Sequence, residues 1–327
     1  MKQILLTGGL GYIGQKFQEK FQNKYIFHLI DTGFFKIPDL INIKKNNFID
    51  IRKIKKDDLI NIDYIVHMGE LSNDPLGNLN PNITLDINHK GTLNLLNLAN
   101  GSNVKKLIYM SSASVYGYSG KISHEESEVN PLTEYSKAKY KNENYILEKN
   151  FNFETIILRN STAFGFSKNL RLDLVVNDLT YSAFKNNKIE LLSDGSPKRP
   201  LVHIDDISNL IDIILSDDRN LDKQIFNVGS ESLNFSIREI AEIISEILSI
   251  DNVTFGKHDP DQRSYFLNFD KLFNYFPNYK LEFDLEKGVM DLYNNLESYI
   301  VNGNEKRLNK INLLIKDKKL SKDLYWL

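Results

Sequence analysis

Residues 7–14 read TGGLGYIG and directly follow the short apolar run of residues 4–6. Glycines recur there at intervals of three, between a predicted strand and a predicted helix. This spacing lets backbone N–H groups and the positive end of the helix approach a pyrophosphate with no Cβ between them. The stretch therefore predicts a dinucleotide-binding loop whose cofactor-binding residues are Gly8, Gly11, Tyr12, Ile13 and Gly14. The alternative is a glycine-rich turn that binds nothing.

The end of the second predicted strand indicates which dinucleotide is bound. Asp31 follows the apolar residues 25–30, and a carboxylate at this point accepts hydrogen bonds from both ribose hydroxyls and repels a 2′-phosphate. Residues 32–35 contain no arginine that would bind such a phosphate, so the sequence favours NAD over NADP. Asp50 and Ile51 are predicted to hold the amino group and the face of the adenine, with an ordinary loop aspartate as the alternative.

Short apolar runs alternate with longer helical patterns along the first half of the chain. Predicted strands cover residues 4–6, 25–30, 64–67, 106–111 and 155–159, and predicted helices cover residues 13–21, 92–99 and 134–148. This alternation predicts an α/β fold, a Rossmann-like doubly wound parallel sheet with a smaller C-terminal substrate-binding lobe. Ligands of such sheets bind at the carboxyl ends of the strands.

We expect the chain to be organised in three parts. The NAD-binding Rossmann domain spans residues 1–168, and residues 200–228 pack back onto it. The substrate-binding lobe consists of residues 169–199 and 229–300, and residues 301–327 form a basic helical tail.

The predicted tail has the pattern of an amphipathic helix. Leu308, Ile311 and Ile315 recur at helical spacing among several lysines and arginines. Such a helix either docks on its own domain or contacts a partner or a membrane surface, and the sequence leaves both alternatives open.

The composition of the 327 residues limits the function classes. Lys and Arg number 41 against 43 Asp and Glu, a net charge of −2, which argues against nucleic acid as the main partner. Cysteine is absent, so disulfides and thiolate metal sites are excluded. The six histidines are dispersed, and no metal is expected. With neither a signal peptide nor an apolar run of the ~20 residues that a membrane span needs, we expect a soluble cytoplasmic protein.

A second chemical pattern lies in the helix predicted over residues 134–148. Tyr135 and Lys139 are four residues apart and therefore share one face. An ammonium close to a phenol favours the phenolate, lowers the tyrosine pKa and makes Tyr135 a usable acid or base. Upstream, residues 109–117 read YMSSASVYG and supply hydroxyls at a strand end. Taken alone, such a Tyr–Lys pair is typical of a solvated helix face.

Together the motifs resemble the extended short-chain dehydrogenase/reductases, in particular the branch of nucleotide-sugar epimerases and dehydratases. The resemblance covers residues 2–295 and rests on motifs in the family's order and spacing: GGLGYIG, Asp31, HMGELSNDPLG, MSSASVYG, YSKAK, LRNSTAFG, DGSPKRPLVHIDD and FNVG. It implies NAD as the cofactor and a nucleotide-activated sugar as the substrate. We also expect a homodimer.

The resemblance implies a catalytic role for three residues. Ser112 matches the catalytic Ser/Thr, Tyr135 the catalytic Tyr, and Lys139 the Lys that binds the nicotinamide ribose and tunes the Tyr. In this family the Tyr takes a proton from a sugar hydroxyl while hydride moves from the same carbon to NAD, which leaves a ketosugar.

Five residues are implied in substrate binding: Asn73, Thr162, Arg171, Arg199 and Arg263. Arg199 matches an arginine that pairs with the diphosphate of the substrate, a role suited to a guanidinium fork, and Arg263 is a candidate for the same role. An ordinary surface position is the alternative for such arginines.

Departures from the family pattern limit which of the family's reactions this chain is expected to catalyse. The 4,6-dehydratases carry an acidic residue after the catalytic Thr, whereas Ala113 and Ser114 stand here, and neither is an acid or base near neutral pH. We therefore predict a C4 epimerase or a C4 dehydrogenase/ketoreductase. Residues 170–178, LRLDLVVND, resemble a subgroup that includes GDP-heptose C4 dehydrogenases, and this resemblance implies a role in surface polysaccharide biosynthesis. The alternatives are a 4,6-dehydratase and a non-catalytic dinucleotide-binding scaffold. Glu70 replaces a small apolar residue near the cofactor, either as a second acid/base or as a positioning residue.

Overall fold

The computed structural model describes residues 1–35, 48–72, 74–257, 263–300 and 307–327. The strands, numbered along the chain, are β1 Lys2–Thr7, β2 Tyr25–Ile30, β3 Tyr64–His67, β4 Lys106–Ser112, β5 Tyr118–Ser123, β6 Glu154–Asn160, β7 Thr162–Phe164, β8 Ile189–Leu191, β9 Lys198–His203, β10 Gln224–Val228, β11 Asn234–Ser236, β12 Val253–Phe255 and β13 Ser264–Leu267. Six of them form a central sheet in the order β2-β1-β3-β4-β6-β10, and every neighbouring pair is parallel. The predicted parallel sheet is confirmed.

Helices cover both faces of this sheet. They are α1 Tyr12–Phe21, α2 Asp74–Gly77, α3 Pro81–Thr84, α4 Gly91–Ala99, α5 Glu134–Glu148, α6 Val175–Asn186, α7 Ile204–Ser216, α8 Ile237–Leu248, α9 Asp270–Tyr275, α10 Leu285–Ile300 and α11 Arg307–Lys316. Helix α5 begins where it does because Thr133 and Ser136 form a capping box, in which each side chain accepts a hydrogen bond from the backbone N–H of the other. This cap fixes the backbone next to Tyr135.

The central sheet separates two apolar layers. Alternate residues of a strand point to opposite faces, so Leu5 belongs to one layer while Ile4 and Leu6 belong to the other. The first layer packs against the side of α4 and α5, and the second packs against α1 and α7. Burial on both faces explains why these strands are almost wholly apolar.

The second half of the chain adds smaller sheets beside the main one. Strands β11, β9 and β7 form a three-stranded sheet, β12 pairs with β8, and β13 pairs with β5. Helices α6, α8 and α10 pack around a separate apolar cluster that includes Phe164 and Leu201. Strand β10, in contrast, returns to the edge of the central sheet beside β6.

The C-terminal segment, residues 307–327, docks on the first apolar layer of the same chain. Ile311, Leu320 and Leu324 are buried there, so the apolar face of the amphipathic helix is covered by its own protein. Of the two alternatives left by the sequence, the structure shows docking on the chain itself. No helix within the described ranges has the length and apolar character to cross a bilayer.

Candidate active site

Gly8 in the loop between β1 and α1, and Gly14 in the first turn of α1, lie too close to neighbouring backbone to carry a side chain. Gly8 has φ +70°, and a Cβ at this residue would lie 2.8 Å from the carbonyl of Met68. A Cβ on Gly14 would lie 2.7 Å from the carbonyl oxygen of Gly8. Helix α1 has Gly11 as its N-cap and no side-chain cap, so the N–H groups of residues 12–14 are left for a ligand or solvent. The loop is therefore a cradle for an anion.

A cavity, termed here the cofactor cavity, extends from this loop along the carboxyl ends of the strands. Eight predicted cofactor residues line it: Gly8, Gly11, Tyr12, Ile13, Gly14, Asp31, Asp50 and Ile51. Their roles in binding stay predictions, but the fold brings them together as a dinucleotide requires.

Asp31 is the acidic group beside the glycine loop. Its carboxylate accepts hydrogen bonds from the N–H of Leu10 at 3.0 Å and from that of Gly33 at 2.8 Å. Burial raises the pKa of Asp31, whereas these two N–H groups and the charge of Arg307 lower it. A carboxylate fixed in this way fits the hydroxyls of a ribose.

Asp50 has a partner that the sequence analysis did not foresee. Its carboxylate accepts three hydrogen bonds from the side chain of Arg52, at 2.5 Å, 3.0 Å and 3.1 Å, and a fourth from the Arg52 N–H at 2.9 Å. An adenine amino group would share this carboxylate with a guanidinium. Ile51, which is buried and lines the cavity, offers an apolar face instead.

Tyr12 contributes differently from the glycines. Its hydroxyl donates to the carbonyl of Gly165 at 2.6 Å and accepts from the Asn177 side chain at 3.1 Å. The side chain thus ties the glycine loop to β7 and α6, and only its backbone N–H is left for the cofactor.

A second cavity, termed the catalytic cavity, adjoins the first. Ile13, Met68, Glu70, Ser72 and Arg171 line both cavities, so the two are continuous. The catalytic cavity brings together the three predicted catalytic residues and four predicted substrate residues: Ser112, Tyr135, Lys139, Thr162, Arg171, Arg199 and Arg263. Asn73, the remaining predicted substrate residue, lies outside the described residues.

Ser112 ends β4 and faces the helix that carries Tyr135 and Lys139. Its Oγ accepts a hydrogen bond from the N–H of Ser114 at 3.2 Å, which leaves the hydroxyl proton available for donation. Burial raises the pKa of Tyr135, and the hydrogen bond between Ser112 and the Tyr135 phenol opposes this only in part. Ser112 of β4 therefore lies in the same cavity as Tyr135 and Lys139 of α5.

Lys139 is neutralised by a carboxylate that the sequence analysis had only noted as unusual. Its Nζ lies 3.0 Å from Oε2 of Glu70, and both side chains are almost completely buried. The same ammonium donates to the carbonyl of Met110 and lies 5.7 Å from the centre of the Tyr135 ring.

This pair corrects the expectation of a lowered Tyr135 pKa. Burial has the largest effect and the negative charge of Glu70 the next, and together they raise the pKa of Tyr135 to about 12. Ser112 and Arg171 lower this pKa by smaller amounts. The expectation was wrong because it left out, first, the burial of the phenol and, second, the Glu70 carboxylate beside it. In this state the phenol holds its proton at neutral pH.

Glu70 is held by hydrogen bonds as well as by Lys139. Oε1 accepts from the Tyr109 hydroxyl at 2.9 Å, and longer contacts at 3.4 Å reach Thr92 and Asn142. A carboxylate with this many partners is fixed in place. This geometry favours a positioning role over a second acid/base.

Two of the predicted substrate arginines lie next to each other: Arg199 is buried, and Arg263 is half-buried. Arg199 donates from Nη1 to the carbonyls of Lys198 at 2.8 Å and Arg263 at 2.5 Å, and its guanidinium lies 5.7 Å from the centre of the Tyr265 ring. Burial lowers the pKa of Arg263. Neither arginine has the surface position considered as the alternative.

Arg171 lies at the boundary between the two cavities. It forms a bidentate pair with Asp173, at 2.8 Å and 3.1 Å, and donates to the carbonyl of Ser72 at 3.0 Å. Beside it in the cofactor cavity lies Arg307, from α11. Sequence reasoning missed Arg307, because its helix was recognised only by its apolar spacing.

Two histidines at strand ends are structural. His67 shares hydrogen bonds with the hydroxyls of Thr7 at 2.5 Å and Thr92 at 2.7 Å, and burial lowers its pKa to about 3. His203 stacks on Phe283 at 3.7 Å between ring centres. Across the described part of the chain, His, Asp and Glu side chains form no cluster of three suited to a metal ion.

Residues 4–229 match the profile of the NAD dependent epimerase/dehydratase family. The chain belongs to this family. NAD is therefore its cofactor, and the glycine cradle and the uncapped first turn of α1 fit the pyrophosphate of that dinucleotide.

Relatives within the family differ in substrate. A protein of Methanocaldococcus jannaschii with the provisional name UDP-glucose 4-epimerase is 27% identical over 302 residues, which cover 89% of this chain and 97% of the relative. The GDP-6-deoxy-D-talose 4-dehydrogenase of Aggregatibacter actinomycetemcomitans is 26% identical over 266 residues, 79% of this chain and 85% of that protein.

A solved structure shows the same fold. The UDP-glucuronic acid 4-epimerase of Bacillus cereus, crystallised with UDP-glucuronic acid and NAD, matches with a TM-score of 0.79 at 22% identity. The match covers 90% of this chain and 99% of that one.

Proposed function

We propose that the protein is a C4 epimerase of a nucleoside-diphosphate sugar. In such a reaction the sugar hydroxyl is oxidised, and the resulting ketone is reduced again from its other face. The proposal rests on one observation: Ser112, Tyr135 and Lys139 line a cavity that adjoins the cofactor cavity and also contains Arg199 and Arg263.

Tyr135 and Ser112 handle the proton at the sugar oxygen. The phenolate of Tyr135 takes this proton during oxidation, and the resulting phenol returns it during reduction, while the hydroxyl of Ser112 donates to the same oxygen. NAD, when bound, supplies the hydride acceptor. Because the pKa of Tyr135 is about 12, its phenol form is the stable one and can return the proton to the sugar oxygen. Removal of the proton from the phenol requires added positive charge near the ring.

Arg199 and Arg263 are proposed to bind the diphosphate of the substrate. Both line the catalytic cavity, Arg199 buried and Arg263 half-buried, and a guanidinium that meets a diphosphate there replaces water with charge-assisted hydrogen bonds. Thr162 and Arg171 complete the proposed substrate contacts.

The test uses the purified protein without added cofactor. It is incubated with UDP-, GDP-, CDP- and dTDP-activated sugars, and the stereochemistry at C4 is followed by NMR together with the absorbance of reduced nicotinamide. An epimerase gives an equilibrium of two epimers and no net reduced cofactor. No change in any sugar of the panel would contradict the proposal.

A tyrosine pair on α5 provides matched variants. Tyr135→Phe should lower turnover by about 100-fold or more, because it removes the group that exchanges the proton. Tyr145→Phe, on the same helix but hydrogen-bonded to Asn97, should leave turnover unchanged. Unchanged turnover in Tyr135→Phe would remove the catalytic assignment.

A C4 dehydrogenase is the second candidate. It is supported by the relative that carries the name GDP-6-deoxy-D-talose 4-dehydrogenase. Stoichiometric formation of reduced cofactor from added NAD would distinguish it from an epimerase. A 4,6-dehydratase is not favoured, since Ala113 and Ser114 follow Ser112 and the Glu70 carboxylate is paired with Lys139. Action in surface polysaccharide biosynthesis, in the cytoplasm and as a homodimer stays a prediction.

A further inference from the structure

The C-terminal segment contributes a cation to the cofactor cavity. Arg307, the first residue of α11, lines this cavity together with Gly11 and Asp31, and it does not line the catalytic cavity. Its Nη1 donates to Oγ of Ser72 at 2.6 Å, and its guanidinium lies 4.7 Å from the centre of the Phe35 ring. Both of these partners also line the cofactor cavity.

The charges around Arg307 leave it available to an anion. Burial and the neighbouring Arg171 lower the pKa of Arg307 to about 10, so it remains charged at neutral pH. The two carboxylates that act on it are engaged elsewhere: Asp173 pairs with Arg171, and Asp31 accepts two backbone N–H groups. A half-buried cation beside a glycine cradle is suited to a phosphate group.

The rest of the segment is anchored at the adenosine end of the cavity. Nε1 of Trp326 donates to the carbonyl of Thr32 at 2.7 Å, and its ring lies 5.5 Å from that of Phe34. The guanidinium of Arg52 donates to the carbonyls of Asp323 at 2.9 Å and Leu324 at 3.0 Å. Thr32 and Phe34 line the cavity.

We propose that Arg307 binds the pyrophosphate of the dinucleotide and that residues 307–327 form a C-terminal clasp that slows its dissociation. The diphosphate of the sugar substrate carries the same chemistry. The cofactor is favoured because Arg307 lines only the cofactor cavity.

The experiment compares ligands that differ in their phosphates. Arg307→Met keeps an apolar stem and removes the charge, and Lys316→Met changes an exposed cation at the other end of the same helix. Binding of ADP-ribose, adenosine and UDP to each cofactor-free protein is measured by calorimetry. We expect Arg307→Met to weaken ADP-ribose by about 10-fold to 100-fold, the range of a hydrogen bond to a charged group, and to leave adenosine and UDP unchanged. Lys316→Met should bind all three ligands as the parent does.

Other outcomes overturn the proposal. Equal losses for adenosine and ADP-ribose would mean that Arg307 only maintains the structure, and a loss confined to UDP would assign it to the sugar nucleotide. Thermal unfolding of the ligand-free proteins identifies a variant that has failed to fold.

A second variant, Trp326→Leu, tests the clasp without touching Arg307. It should release bound NAD at least several-fold faster, as followed by exchange with a fluorescent etheno-NAD. An unchanged exchange rate would reject the clasp.

Discussion

Replacing Glu70 with Gln removes one buried negative charge from beside Tyr135, the proposed acid and base. The Glu70 carboxylate lies 3.0 Å from Nζ of Lys139, and this Nζ lies 5.7 Å from the centre of the Tyr135 ring. The carboxylate and the ring centre are therefore within about 9 Å. At an effective dielectric constant of about 20, a unit charge at that distance is worth about 2 kcal/mol, or about 1.4 pKa units.

The direction in which Glu70→Gln changes the Tyr135 pKa follows from the direction in which Glu70 shifts it. Glu70 raises the pKa of Tyr135, so its neutralisation lowers that pKa. A base with a lower pKa is deprotonated at lower pH, and the acidic limb of the rate profile therefore moves down by about 1.4 pH units. Well below this limb, proton removal in Glu70→Gln should be about 25-fold faster than in the parent.

The assay is the pH dependence of the first turnover, followed as reduction of the bound cofactor by a nucleotide sugar. The pH at the midpoint of the acidic limb reports the Tyr135 pKa. The plateau value of the rate is less informative, because it also changes if Lys139 is displaced. Glu134→Gln is the matched control, since Glu134 is partly exposed and pairs with Lys137 at 2.9 Å on the same helix. An acidic limb that stays in place in Glu70→Gln, or moves to higher pH, would refute the reasoning.

Two further predictions concern stability. Arg159→Met should lower the free energy of unfolding by about 3–5 kcal/mol in urea titrations, because it leaves Glu143, its partner at 2.7 Å, charged and buried. His67, with a pKa of about 3 when folded and about 6.5 when unfolded, binds its proton only after unfolding over that range. This proton makes stability fall by about 1.4 kcal/mol per pH unit as the pH drops below about 6.5, and buried His203, whose pKa is also lowered to about 3, adds an equal slope. His67→Asn should therefore halve the total slope, while the exposed His28→Asn should keep it.

The parts of the site that follow one another along the chain could be predicted from the sequence. The glycine loop, Asp31 and the Tyr135–Lys139 pair each depend on short spacings within one strand, turn or helix. The parallel sheet then brings them to one edge, because the carboxyl ends of parallel strands lie together. Local pattern was sufficient for this much of the fold and the site.

The parts that depend on distant partners could not be predicted. Glu70 and Lys139 meet across two elements, and nothing in the spacing of either residue indicates the other. Likewise, the pattern of Leu308, Ile311 and Ile315 shows that α11 has an apolar face but not which surface covers it. For this reason the reversed pKa of Tyr135 and the position of Arg307 emerged only from the structure.

The docking of residues 307–327 affects how the protein can be divided into fragments. The apolar layer that begins with Leu5 is completed by Ile311, Leu320 and Leu324, so residues from opposite ends of the sequence share one core. A fragment cut at the limits of the family match, residues 4–229, would expose the surface that these three side chains cover. Such a surface favours aggregation. The unit to express for a nucleotide-binding fragment is thus not a continuous piece of sequence.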